Sequence, residues 1–320
     1  MLQHDTPPNT AAAVKPKRRW FQYRLRTAFA VMTLLAVALG IVVHQGRQRQ
    51  QAVSGLRSVG AEIHFAPARP GEPSWLRKCV GSIFGEEYFL EVRAVRLREL
   101  KVGDEVLPLV GRLGELRQVG LERTKVTDAG LAHLRSLDNL EFLMLTETSI
   151  SDAGVKHICR LPKLYHLNLG GTKLTDAAMA DLARMPQLTQ LMITAMDVTD
   201  AGVERLTPLA GLKQLYLNAT KVTDEGLAHL KRFPKLETIG LYETGVTDKG
   251  VRHLAEIPSL RRVNLNSTEI TDVALVHLKV LQNLESLEVS ATRVSQGAID
   301  RFKQEHPKCE VEAHGMRGER

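Results

Sequence analysis

Aromatic residues are scarce in this chain of 320 residues: Phe, Trp and Tyr together make up 5%. A core of large rings is therefore excluded, and aliphatic side chains must supply the buried surface. Cysteines are few and scattered (Cys79, Cys159 and Cys309), with no CxxC pair, so neither a disulfide framework nor a cysteine zinc site is indicated. The strings G-x-S-x-G and H-E-x-x-H do not occur, which removes the usual hydrolase and metalloprotease signatures. Gly170-Gly171-Thr172-Lys173 looks like part of a phosphate loop but lacks the G-x-x-x-x-G-K-[ST] spacing. Net charge is missing from the bulk of the chain as well. Of the net +7, residues 1–60 account for more than all, with nine Lys/Arg against Asp5 alone, while the rest holds 34 basic and 35 acidic residues. No field surrounds the main body to attract DNA or RNA, and no nucleic-acid partner is expected.

The basic leader precedes the one long apolar run. Residues 28–43 read AFAVMTLLAVALGIVV without a charge. At 1.5 Å per residue this run spans roughly 24 Å, a little short of a ~30 Å hydrocarbon core. Leu25, Thr27 and His44 extend it, Arg24 and Arg26 can snorkel, and Trp20, Phe21 and Tyr23 sit where an interfacial aromatic belt belongs. Six basic residues precede the run and three (Arg47, Arg49, Arg57) follow it. That asymmetry predicts a cytoplasmic N-terminus (1–26), a transmembrane signal anchor (27–44) and export of the remainder. Ala36-Val37-Ala38 resembles a signal-peptidase site, but the apolar run continues past it, which favours an uncleaved anchor.

What fills the rest is a repeat. TKVTDAGLAHLRSL begins at Thr124 and TKVTDEGLAHLKRF at Thr220, with ten of the fourteen positions identical. Leu116, Leu140, Leu164, Leu188, Leu212, Leu236, Leu260 and Leu284 each open the pattern L-x-x-L-x-L-x-x-T-x-V-T-D-x-G-L-x-x-L-x-x-L, without one insertion between them. A degenerate copy begins at Val92. About nine units of one length over residues 92–307 define a solenoid. Within a unit, L-x-x-L-x-L ends in strand alternation, so Val119 and Leu121 point inward in the first full copy. Thr at the ninth position (Thr124, Thr148, Thr172, Thr220, Thr244, Thr268, Thr292; Met196 is the exception) is expected to satisfy backbone groups where the chain leaves the strand. Thr or Ser at the twelfth position followed by Asp reads as a helix N-cap with a carboxylate in the first turn. Leu131, Leu134 and Leu137 then form the buried stripe of a short helix, and Pro162, Pro186, Pro234 and Pro258 end theirs.

These units resemble leucine-rich repeats of the V-T-D-x-G-L variant. With Trp20 to Thr27 and the single span, the layout resembles bacterial membrane-anchored leucine-rich-repeat proteins. The units are also similar to the repeats of eukaryotic F-box adaptors, though no F-box-like domain precedes them here. The resemblance implies an α/β fold: a right-handed horseshoe with a parallel sheet on the concave face and short helices on the convex face, preceded by one transmembrane helix. It implies no reaction and no cofactor. Residues 45–91 match the repeat poorly and are expected to form a juxtamembrane helix (Gln45 to Val59, stopped by Gly60) and an N-terminal cap. That cap has a strand over Ala61 to Phe65, a helix over Trp75 to Ile83 and a strand from near Tyr88. Residues 308–320 supply a cap strand and tail, with Phe302, Cys309 and Val311 closing the stack.

Two further columns invite a chemical reading. His133, His157, His229, His253 and His277 share the eighteenth position, but no acidic or sulfur ligand recurs beside them, so no metal site is expected. Asp128, Asp152, Asp176, Asp200, Asp224, Asp248 and Asp272 could line up for calcium, yet each is already matched to the positive end of its own helix. The outward positions of the strands offer more. Phe142, Met144, Tyr165, His166, Met192, Tyr216 and Tyr242 emerge there, with Arg117, Glu147, Arg261, Arg262 and Glu285 as a polar rim. Large side chains on an exposed face are what binding hot spots use. The expectation is a non-enzymatic scaffold, displayed outside the cytoplasm, that holds a protein or glycan on its concave face. An intracellular ubiquitin-ligase adaptor is the alternative that the F-box similarity implies.

Overall fold

The computed structural model of the chain describes residues 18–66 and 90–315, with the side chains of 18–25 and 42 outside that description. The expected helix at Trp75 to Ile83 and the start of a strand near Tyr88 lie outside the described residues. The chain divides into two units between Gln48 and Arg49.

Helix α1 (Arg18–Ser58) takes in the described end of the basic leader, the apolar run and the following polar stretch. Arg26–Ser58 is long and apolar enough to cross a membrane. Its last turns turn amphipathic: Ala52, Val53 and Leu56 are buried in the core of the second unit. Gly60, at φ +90°, stops the helix, as only a residue without Cβ enters that region freely.

Beyond it the described strands make one sheet in strict chain order: β1 (Glu62–Ala66), β2 (Glu91–Arg96), β3 (Gln118–Gly120), β4 (Phe142–Met144), β5 (His166–Asn168), β6 (Gln190–Met192), β7 (Gln214–Tyr216), β8 (Thr238–Gly240), β9 (Arg262–Asn264), β10 (Ser286–Glu288) and β11 (Glu310–Glu312). β2 to β11 are parallel and pair in the register of the repeat, for example Leu143↔Leu167 and Leu167↔Leu191. β1 instead runs antiparallel to β2, with a register shift at His64/Phe65. It covers the open end of the stack, which has no preceding turn to bury it. At the other end Phe302, Cys309 and Val311 are buried, and the His306 ring stacks on Phe302 at a centroid distance of 4.4 Å.

Strands β4 to β7 alternate out-in-out, so the central residue of each (Leu143, Leu167, Leu191, Leu215) is fully buried. These join Leu116, Leu140, Leu164 and their equivalents in one continuous aliphatic core. Strands stack about 4.8 Å apart while helices need about 10 Å, so the sheet side is the tighter, concave one.

The ninth-position threonines are buried, and each donates its hydroxyl to the carbonyl three residues back, as Thr124 does to Leu121 at 2.6 Å and Thr220 to Leu217 at 2.6 Å. The Asp column acts differently from the expectation. Asp200 accepts both the amide of Thr223 (2.8 Å) and its hydroxyl (2.7 Å), so the carboxylate grips the next unit rather than serving only its own helix. The same two bonds recur from Asp128 to Ser151, from Asp152 to Thr175 and on to Asp272 and Ser295. The degenerate first unit joins in through Asp104, which holds Thr127 at 2.8 and 2.6 Å. The last unit, with no repeat to follow it, has Gln296 where the others have Asp. Glycine two residues after Asp in five of the seven units (Ala178 and Ala274 are the exceptions) leaves room for the preceding carboxylate: a Cβ on Gly226 would lie 2.4 Å from Asp200 Oδ1.

Candidate functional site

The candidate site is the outward face of β4 to β8. Because the register never slips, side chains 24 residues apart stand side by side on neighbouring strands. Phe142, His166, Gln190 and Gln214 form one row, and Met144, Asn168, Met192, Tyr216 and Gly240 form another.

The structure gathers part of the expected set. Phe142 meets Tyr165 edge-on at a centroid distance of 4.9 Å and His166 at 5.4 Å, a geometry that suits the ring quadrupoles. His166 Nδ1 is hydrogen-bonded to Gln190 Oε1 on the next strand. Burial, then the neighbouring Glu141 carboxylate, pushes the Tyr165 phenol above its usual range. Met192 and Tyr216 face each other on adjacent strands. Met144 stands two strands from Met192, separated by Asn168. Tyr242 lies just past the end of β8 and is 40% exposed. Gly240 has a part in this: a Cβ there would lie 2.7 Å from Tyr216 Cδ1, so the glycine clears the space that the Tyr216 ring occupies.

Of the five expected rim residues, Arg117, Glu147, Arg261 and Glu285 are ion-paired and, among the described residues, Arg262 is not. Arg117 bonds Glu141 at 2.8 Å, Lys213 lies 3.3 Å from Glu237, and Arg261 pairs with Glu285. Arg123 bridges Glu99 and Glu147 at 3.1 and 3.0 Å along the flank. Arg262 is occupied by the Thr238 hydroxyl at 3.2 Å. Sequence reasoning missed the groups between the rings: Gln190, Gln214 and Asn218 bring amides to the same surface. The 24-residue columns hold that signal once amides are read alongside aromatics.

A depression of about 590 Å³ lies off this face, lined by Thr172, Lys173, Ala195, Asp197, Ala219 and Lys221 among others. It exists because small residues follow one another on the turn, and Lys221 is neutralised by Asp197 at 2.6 Å. The concave strands carry the aromatic groups and this hollow does not. Among the described residues no three His, Cys, Asp or Glu side chains lie close enough to hold a metal. His133 is exposed and the other four histidines of its column are half-buried on the convex side, with His253 3.4 Å from Glu256.

The stacked units and their matched columns correspond to a known family: residues 84–304 match the one described as a leucine-rich repeat region. The chain belongs to it. No curated protein matches the chain. Solved structures similar to this leucine-rich-repeat protein include internalin C2 of Listeria monocytogenes, at 19% identity over 69% of this chain and 80% of that one, with a TM-score of 0.49. Another internalin of the same strain is 15% identical over 75% and 94%, with a TM-score of 0.41. A leucine-rich-repeat protein of Leptospira interrogans is 20% identical over 64% and 56%, with a TM-score of 0.45. The repeat domain fits a binding scaffold for other proteins.

Proposed function

We propose that this leucine-rich-repeat protein is a non-enzymatic binding scaffold, anchored in a membrane through residues 27–44, that presents its concave sheet to a protein or glycan outside the cytoplasm. The observation that carries the reading is the outward face of β4 to β8. There Phe142 and three of the five tyrosines of the chain stand on or next to rigid strands, while Arg117, Lys213 and Arg261 beside them are each paired with a glutamate. A rigid platform with exposed rings binds without first paying for loop ordering. Display outside the cytoplasm is supported by the charge asymmetry around the apolar stretch. Two measurements test it. A protease added to intact cells should degrade the repeat domain, and protection would place it inside. Simultaneous Phe142→Ala, Tyr165→Ala and Tyr216→Ala replacement should abolish crosslinking to the partner in the native cell. Full crosslinking by a folded triple variant would remove the concave face from consideration.

A further inference from the structure

Past the Phe142, Tyr165 and His166 cluster, the large side chains of the concave face continue as a line. Tyr165 stands before β5, Met192 and Tyr216 on the last residues of β6 and β7, and Tyr242 beyond β8. From β5 to β8 each successive strand thus adds a large side chain, set level with or further along the strand than the last. The result is an oblique stripe, about 14 Å across three strand spacings and about 16 Å along them, or roughly 22 Å in all. A compact epitope would be met by a cluster; a stripe of this form suits something linear.

The chemistry beside the stripe narrows the class. Its flanking groups are amides and hydroxyls: Gln190, Gln214, Asn218, Thr189 and Thr194. The Asn218 carbonyl oxygen is taken by the amide of Tyr242 at 3.0 Å, so the NH₂ is the group of this side chain that can donate to a ligand. Lys213 beside the stripe is held by Glu237 at 3.3 Å, and Arg262 on β9 is turned to the Thr238 hydroxyl at 3.2 Å. A polyanion such as nucleic acid or a sulfated or uronic chain would find Lys213 already neutralised and no row of cations from β5 to β8. A lipid or an apolar helix face would strand the amides without partners. Rings that take the C–H face of a ligand, interleaved with uncharged donors and acceptors, match a surface rich in hydroxyls on an otherwise apolar ring.

We propose that the ligand is a linear, uncharged glycan lying obliquely across β5 to β8, with Tyr165, Tyr216 and Tyr242 as stacking platforms. The inference rests on the concave face being the binding surface. Gly240 is a positioning residue in this scheme, since it makes room for the Tyr216 ring.

The test uses the full chain in lipid nanodiscs, titrated with neutral linear oligosaccharides (β-1,4-glucan, β-1,3-glucan, β-1,4-mannan and chito-oligosaccharides of matched length) and with an oligouronate as the charged control. One or more neutral oligosaccharides should bind, with little change between low and high salt because no ion pair is made. Tyr216→Ala and Tyr242→Ala should each weaken binding by roughly fivefold to tenfold. Tyr216→Phe should keep most of the affinity, and Gly240→Ala should weaken it with every tyrosine still present. Val276→Ala on the convex side should leave it unchanged. Binding only to the oligouronate, or to no sugar, overturns the glycan assignment. If a crosslinked protein partner is then lost in Tyr216→Ala, the concave-face reading survives alone. If neither sugar nor protein capture responds to Tyr216→Ala and Tyr242→Ala in folded variants, both fall.

Discussion

Replacing Asp200 by Ala isolates the contact that ties one repeat to the next. The carboxylate accepts an amide and a hydroxyl from Thr223, at 2.8 and 2.7 Å. Hydrogen bonds to a charged acceptor contribute about 1.5–3 kcal/mol each. Asp200 is half-buried and Thr223 exposed, so water restores part of what is lost, and the substitution should cost about 2 kcal/mol. For a domain of this size that lowers the midpoint by about 4–8 °C. Asp200→Asn keeps an acceptor for the amide and should cost about half as much. The decisive assay is a double-mutant cycle with Thr223→Val, followed by circular dichroism in urea. Bonding across the repeat boundary predicts a coupling of about 1 kcal/mol. If the carboxylate served only the positive end of its own helix, Asp200→Ala would cost about 0.3–1 kcal/mol and would add to Thr223→Val with no coupling. A coupling indistinguishable from zero refutes the inter-repeat bond.

Other outcomes follow from single sites. Ala219 holds φ +52° while its amide bonds Tyr242 O at 2.7 Å; Ala219→Gly removes a left-handed strain of about 1–2 kcal/mol against an entropic cost of about 0.4–1. A net gain of about 0.5 kcal/mol is expected in urea unfolding, and a loss of that size would contradict it. Leu215 is fully buried in the central strand, so Leu215→Ala should cost about 2–5 kcal/mol, read by the same method. Burial raises the thiols of Cys159 and Cys309 from 9.0 to about 11. Because the folded state favours the protonated thiol, their contribution to stability is present below pH 9 and is lost as pH rises toward 11. Iodoacetamide at neutral pH should therefore label both far more slowly in the native chain than in urea.

Most of the architecture was legible because the period is strict. Leucine columns predict strand, core and helix stripe directly, and Val119, Leu143 and Leu167 fall where the alternation puts them. The helix end at Gly60 and the closing residues Phe302, Cys309 and Val311 were also readable from composition. The Asp column was harder, since its partner is a backbone amide 23 residues away, and a residue-by-residue reading finds the near helix terminus first. Asp104 escaped notice because Gly103 stands where other units spell Thr. The left-handed turn that each repeat makes after its strand left almost no trace: only Gly171 is glycine, while Arg123, Glu147, Ala195 and Ala219 adopt positive φ because their amides bond the following unit. Of the concave residues, Phe142, Tyr165 and His166 come together as their columns imply. The oblique run through Met192, Tyr216 and Tyr242 needed the strand spacing as well as the alphabet.

The row of carboxylates makes each interior repeat a plug on one side and a socket on the other. Duplicating residues 212–235 would insert a turn whose Asp224 finds a Thr and whose Thr223 finds an Asp, with no mismatched joint. Lengthening by whole turns is thus open to such a chain, whereas Gln296 offers the next copy nothing to hold and closes the series.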